Sequence, residues 1–337
     1  MKQSLQLLLL AVPVIVAIGW WQHNSHSSST IASQQVVAQP ASDEPITPLP
    51  LGLKLDPAKV ALGEQLFNDP ILSQNSKISC ASCHSLTSGG GTDQLVHSIG
   101  IDGKQGEINA PTVFNAGLNF VQFWDGRAAT LEEQIDGPVQ NPSEMGSSWP
   151  EALQKLRSSA FYVDGFAAIY SDGIESANVR DAIATFERSL ITPNSRFDRY
   201  LRGEEDALNS EALEGYRLFK DYGCVSCHQG AGVGGNLFEK FGVMNDYFTQ
   251  RGNSTKADFG RFNVTKNEAD KYVFKVPSLR NVALTGPYFH DGSAATLEEA
   301  VRIMSLYQLG RTLTPEETNS IVKFLRSLSG EYKGQAL

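Results

Sequence analysis

The pentapeptides "CASCH" (Cys80 to His84) and "CVSCH" (Cys224 to His228) decide how this chain is read. Cys-x-x-Cys-His is the attachment signal for c-type haem. Two thiols one helical turn apart reach the two vinyl groups of a porphyrin, and the histidine that follows presents its imidazole to the iron. The chain has four cysteines, and the two motifs consume all of them. Two disulfides or one four-cysteine zinc site are the rival readings. Neither explains a histidine after each pair. Cys80, Cys83 and His84 are expected to hold one haem c, and Cys224, Cys227 and His228 a second.

The chain also repeats itself. "PTVFN" (111–115) is similar to "PSLRN" (277–281), and "FWDGRAATLEE" (123–133) to "FHDGSAATLEE" (289–299). Both pairs share one offset, 166 positions. "GEQLF" (63–67) and "GYRLF" (215–219) precede the haem motifs in turn. The expected fold is mainly α, with two cytochrome c-like haem domains related by internal duplication. The first is placed at residues 48–205 and the second at 206–332.

Helical patterning supports that class. "DPAKVALGEQLF" opens on an Asp-Pro helix start. Val179, Ile183, Phe186 and Leu190 recur at helical spacing. "TPEETNSIVKFLRSL" (314–328) offers a Thr N-cap, a proline at the first helical position and an acidic first turn. Gly-rich stretches follow both haem motifs, at 87–93 and 229–235. They read as loops that let the backbone pass close to a porphyrin. A phosphate-binding loop would need a strand before it and a helix after it.

The 337 residues give room for two domains, and a formal net charge of -9 argues against nucleic-acid binding. A cationic protein partner is compatible with that charge. Residues 1–21 carry an apolar run ending in Trp20 and Trp21. They read as a signal anchor or a signal peptide, and either would export the rest. The Ser-, Gln- and Pro-rich residues 22–47 read as a flexible linker, with His23 and His26 as solvated residues.

Taken with "NPSEMG", "TGPYFHDGS" and "LGRTLTPEE", these motifs resemble the bacterial di-haem cytochrome c peroxidases over roughly residues 50–330. The resemblance implies reduction of hydrogen peroxide to water at the N-terminal haem. Electrons would come from a small cytochrome c or cupredoxin through the C-terminal haem. It also implies a calcium ion between the domains, a periplasmic location and a possible homodimer. Met304 matches the axial methionine of the second haem, with Met244 as a weaker rival and packing as the ordinary role of a methionine. A thioether ligand raises a haem potential, which suits electron acceptance. Glu144 matches the catalytic glutamate, and Gln134 the glutamine of the same pocket. Trp124 matches the tryptophan between the haems. Arg127 is placed on a haem propionate. His290, the repeat equivalent of Trp124, is expected to hydrogen-bond near the second haem or the calcium. The calcium ligands carried over are the Asn109 side-chain oxygen and the Thr285 and Pro287 carbonyls.

One position departs from the family. In "QLVHSIGIDGKQGEINAPTVFN" (94–115), Ile101 stands where many relatives have a histidine that closes the first haem when both irons are oxidised. Isoleucine cannot ligate. His97 lies four positions earlier, about 13 Å away in an extended segment at ~3.3 Å per residue, and reads as a polar loop residue. The first haem is therefore expected to be open without reductive activation. Two alternatives remain. One is a related di-haem enzyme that uses peroxide to oxidise a protein residue. Such relatives carry tyrosine where Met304 stands, and Tyr307 lies close by. The other is a non-catalytic electron carrier, which would need protein ligands on both irons.

Overall fold

The computed structural model describes residues 44–337. The apolar run and the linker up to residue 43 lie outside the described residues. Among the described residues no helix is long and apolar enough to cross a membrane.

The first half contains α1 (Pro57–Asn68), α2 (Leu131–Gln140), α3 (Trp149–Arg157), α4 (Ala160–Ala167), α5 (Ser176–Ser189) and α6 (Arg196–Leu201). The second contains α7 (Ser210–Asp221), α8 (Tyr247–Arg251), α9 (Phe262–Thr265), α10 (Leu297–Ile303) and α11 (Pro315–Arg326). Strands are few. β1 (Phe238–Lys240) pairs antiparallel with β2 (Val273–Lys275), and β3 (Glu331–Tyr332) with β4 (Gln335–Ala336).

Local chemistry explains the helix starts. The Asp56 side chain accepts the Ala58 N–H at 2.9 Å, with Pro57 at the first helical position. At α11, Thr314 accepts the Glu317 N–H at 3.2 Å while the Glu317 carboxylate accepts the Thr314 N–H at 2.8 Å. That reciprocal pair is a capping box.

The duplication is visible in three dimensions. α1 packs on α5, and α7 packs on α11. Both crossings are closed by a glycine. A Cβ at Gly63 would lie 2.0 Å from the Ala182 carbonyl oxygen, and one at Gly215 would lie 1.9 Å from that of Ser320. Any larger residue would drive the helices apart. The repeated "DG" segments match as well, with single antiparallel bridges at Gln122 with Ala128 and at Tyr288 with Ala294. Each half has its own core. Leu66, Phe166 and Ile183 belong to the first, and Tyr216 and Phe324 to the second, where Phe197 of α6 joins them.

The chain ends cross between the halves. Residues 44–47 were expected to continue a flexible linker, but they are packed on the second half. Ile46 is fully buried in the second core. The Thr47 carbonyl accepts from Arg280 at 3.0 Å, and Glu44 pairs with Lys220 and Tyr216. A single apolar residue in a polar stretch leaves no periodic signal, so the sequence does not reveal this contact. At the other end, Tyr332 meets Phe114 edge to face at 5.1 Å and Lys333 reaches Glu64 at 2.6 Å, both in the first half. Arg280, wholly buried, pairs with buried Asp198 at 2.8 Å and also donates to the Ala231 carbonyl just after the second haem motif. Removing one partner of such a pair costs about 3–5 kcal/mol.

Candidate active site

Both Cys-x-x-Cys-His motifs form a 3-10 turn, Cys80–Ser82 and Cys224–Ser226. A longer bond then closes each one. The His84 N–H donates to the Cys80 carbonyl, and the His228 N–H to that of Cys224, each at 3.0 Å. At the second motif both thiols and the imidazole line one cavity. All four thiols are unpaired, so the disulfide reading has no support here. Burial pushes the Cys80 thiol up to about 12 and that of Cys224 up to about 11. Among the described residues, the one tight group of metal-capable side chains is Asp258, His290 and Asp291, with no cysteine in it.

The two histidines fit an iron. Burial lowers the pKa of both, that of His228 to about 4. The neutral imidazole is the ligating form. His228 Nδ1 lies 3.3 Å from the Val233 carbonyl, an interaction that would orient the ring. His84 Nδ1 is shut off from solvent and has no hydrogen-bond partner. Gly234 (φ +126°) passes so close to His228 that a Cβ there would lie 3.2 Å from Nδ1. Only glycine combines that backbone angle with that approach.

A largely apolar cavity of about 260 Å³ adjoins the second motif, and Cys224, Cys227, His228 and Met304 all line it. Met304 sits where α10 passes into a π-helical turn, Met304–Gln308. Such turns re-aim a side chain and occur often at functional sites. The rival side chains point elsewhere. Met244 is 59% exposed. The Tyr307 hydroxyl donates to Gln250 Oε1 at 3.0 Å and its ring packs on Tyr247.

Near the first motif, residues 98–106 form a tight hairpin, bridged at Ile99 and Gln105. Ile101 lies at its tip and is 1% exposed, with its side chain against Gly146. Three contacts pin the hairpin to the loop at 141–146. The Ile101 N–H donates to the Glu144 carbonyl at 2.7 Å and Lys104 Nζ to the Pro142 carbonyl at 3.0 Å. Gly100 approaches the Ser143 carbonyl so closely that a Cβ would come within 2.1 Å. The Glu144 carboxyl is pushed up by burial, against a 2.6 Å hydrogen bond from Asn141 Nδ2 and the charge of Arg127. Its charge, with that of Asp93, in turn raises the Cys83 thiol, beyond what burial does. Glu144 thus lies beside the first attachment motif. Gln134 is half-buried on α2. His97 is half-buried and precedes the hairpin.

Trp124 lines the second cavity, and its Nε1 donates to the Asn109 carbonyl at 3.1 Å. It meets His290 edge to face at 6.4 Å. His290 is buried and its Nε2 donates to Asp258 Oδ1 at 2.7 Å, while its carbonyl accepts the Asn109 N–H at 2.8 Å. Arg251 clamps Asp258 at 2.6 Å and also pairs with Asp291. Arg127 lies over the Phe123 ring at 3.4 Å and pairs with Asp125 at 3.0 Å. Asn109, Thr285 and Pro287 line one cavity. Among the described residues, no donor reaches the Asn109 Oδ1 or the Thr285 and Pro287 carbonyls. Sequence reading missed Asn141 and Asp258. Asn141 stands three residues before Glu144 and could have been singled out. Asp258 belongs to no motif and meets His290 only through the fold.

A family model described as "Di-haem cytochrome c peroxidase" matches residues 57–206, and one described as "Cytochrome c" matches residues 212–329. The chain is 51% identical over 291 residues to cytochrome c peroxidase Ccp of Escherichia coli (strain K12), covering 86% of this chain and 62% of that protein. It therefore spans less than two thirds of that relative's length. It is 48% identical over 292 residues to the cytochrome c551 peroxidase of Nitrosomonas europaea, covering 86% of each. The methylamine utilization protein MauG of Methylorubrum extorquens is 32% identical over 84% of this chain and 82% of its own. The crystal structure of a MauG-like protein associated with microbial copper homeostasis matches with a TM-score of 0.73 at 30% identity, over 86% of this chain and 94% of that one.

Proposed function

The chain belongs to the bacterial di-haem cytochrome c peroxidases, and from that premise we propose that it reduces hydrogen peroxide to water with electrons from a small redox protein. Each peroxide takes up two electrons and two protons and leaves as two waters. Two haem c groups, when bound at the two motifs, supply the iron-centred redox chemistry. Cys80, Cys83 and His84 hold the first, and Cys224, Cys227, His228 and Met304 the second.

The observation that carries this reading is the pairing of Ile101 with Glu144 beside the first motif. Ile101 offers no ligand, and its burial against Gly146 anchors the hairpin with an apolar side chain where a ligand would be needed. Glu144, with its pKa raised by burial, is suited to take a proton from one peroxide oxygen and return it to the other. The Asn141 hydrogen bond holds the carboxyl in place. Gln134 would orient peroxide in the same pocket. Trp124, on the wall of the cavity at the second motif, would carry electrons between the two haems, and Arg127 would steady the first haem's edge.

The calcium reading is part of the same proposal. Asn109 Oδ1 and the Thr285 and Pro287 carbonyls are hard oxygens that take no donor among the described residues, which suits calcium with waters completing the shell. We also propose domain limits at 48–205 and 206–332, a periplasmic location, an N-terminal membrane anchor and a homodimer. Met304 facing the cavity, with Tyr307 turned away, favours the peroxidase over a protein-oxidising relative. The test is steady-state oxidation of reduced cytochrome c and of a reduced cupredoxin by the haem-loaded chain. Peroxide-dependent turnover with either donor supports the reading. No turnover with either one, with both haems in place, contradicts it.

A further inference from the structure

Lys275 ends β2 and is 6% exposed. It lines the same cavity as Cys224, His228 and Met304. Its backbone N–H donates to the Trp124 carbonyl at 2.8 Å, which fixes its place on the cavity wall. Burial alone pulls its pKa down to about 8, with no neighbouring charge offsetting it. Two other charged residues line the cavity, Glu239 and Lys240. The Glu239 carboxylate accepts the Lys240 N–H at 2.8 Å, and its charge acts on Cys227 rather than on Lys275.

Among the described residues, the other buried cation of this half is paired. Arg280 has Asp198 at 2.8 Å. An ammonium left bare in an apolar cavity costs several kcal/mol. It stays charged there at low cost when the occupant of the cavity brings a negative charge. Haem brings two carboxylates, its propionates. The duplication sharpens the contrast, because 166 positions earlier the equivalent residue is the neutral Asn109. The cation is therefore peculiar to the second site.

We propose that Lys275 holds the second haem by pairing its ammonium with a propionate carboxylate, and that this pairing keeps the haem's potential up. The assignment rests on the proposed reading that haem fills this cavity. A cation beside the porphyrin favours the ferrous iron over the ferric, which carries one more positive charge. Removing it also leaves a bare propionate, which acts in the same direction. Lys275 is thus a positioning residue for the electron-accepting haem.

The test is spectroelectrochemical titration of the haem-loaded full chain carrying Lys275→Met or Lys275→Arg. Lys275→Met is expected to shift the oxidised-to-reduced equilibrium of the His228 and Met304 haem about tenfold toward oxidised, a fall of about 59 mV for one electron. Lys275→Arg is expected to retain the parent value. An unmoved potential in Lys275→Met, with two haems per chain, would overturn the proposal alone. One haem per chain in the parent protein would overturn the underlying reading with it. Should Lys275→Met fail to take up haem, a crystal structure of the loaded parent protein decides. Lys275 Nζ within about 4 Å of a propionate oxygen supports the pairing, and a greater distance overturns it.

Discussion

The Ile101 N–H donates to the Glu144 carbonyl at 2.7 Å, so the residue standing in place of a closing ligand also anchors the loop that carries the candidate proton carrier. Absence of a ligand and placement of an acid are coupled through one hydrogen bond and one buried side chain.

Truncating that side chain should therefore disturb both. Ile101→Ala is expected to cost about 2–5 kcal/mol of stability, and Ile101→Val about 0.5–1.5. Thermal unfolding measures the cost. The alanine variant should also lose peroxidase kcat, since the Glu144 loop is less firmly held, while the valine variant keeps it.

Glu144→Gln removes the proton carrier without changing the shape of the side chain. Peroxide turnover is expected to fall about 10²–10⁴-fold. In the parent protein, the carboxylate must be ionised to accept a proton, so activity declines as pH falls through a pKa above the ordinary glutamate value. Asn141 stabilises the ionised form by donating to it. Asn141→Ala should therefore move the acid limb of the kcat/KM profile to higher pH.

Met304→Ala is expected to open the second iron and lower its potential, because the thioether is lost. Optical spectra should show the second haem leaving its six-coordinate low-spin form. Met244→Ala, at an exposed position, should leave both spectrum and potential unchanged.

Asp258 supplies a pH-dependent share of stability. Burial opposes its ionisation, but hydrogen bonds from His290 and Arg251 outweigh that and hold its pKa well below the ordinary value. A depressed carboxylate stabilises the fold above its unfolded pKa, about 3.9, and loses that contribution as pH falls through its folded pKa. Asp258→Asn should cost about 3 kcal/mol at neutral pH. Denaturant titrations should show the gap to the parent protein shrinking below pH ~4.

Much of this architecture was legible in the sequence because it depends on local spacing. Each attachment motif and each helix cap, at Asp56 and at Thr314, is written within a few consecutive residues, and the repeat shows as short matching segments at one constant offset. Gly63 and Gly215 were visible in repeated segments, though not that each closes a helix crossing. The crossing chain ends were not legible, since Ile46 and Tyr332 find their partners across more than 150 and 210 positions. The Asp258 partner of His290 and the unpaired Lys275 were hidden for the same reason. They acquire meaning only when distant loops meet around the second cavity. Ile101 was legible as a missing ligand, but its hold on Glu144 was not.

The central claim is that the first haem is open when both irons are oxidised. Electron paramagnetic resonance of the fully oxidised, haem-loaded protein tests it most directly. The account predicts a high-spin ferric signal from the first haem beside one low-spin signal from the His228 and Met304 haem. Two low-spin signals, with no high-spin fraction, would contradict it.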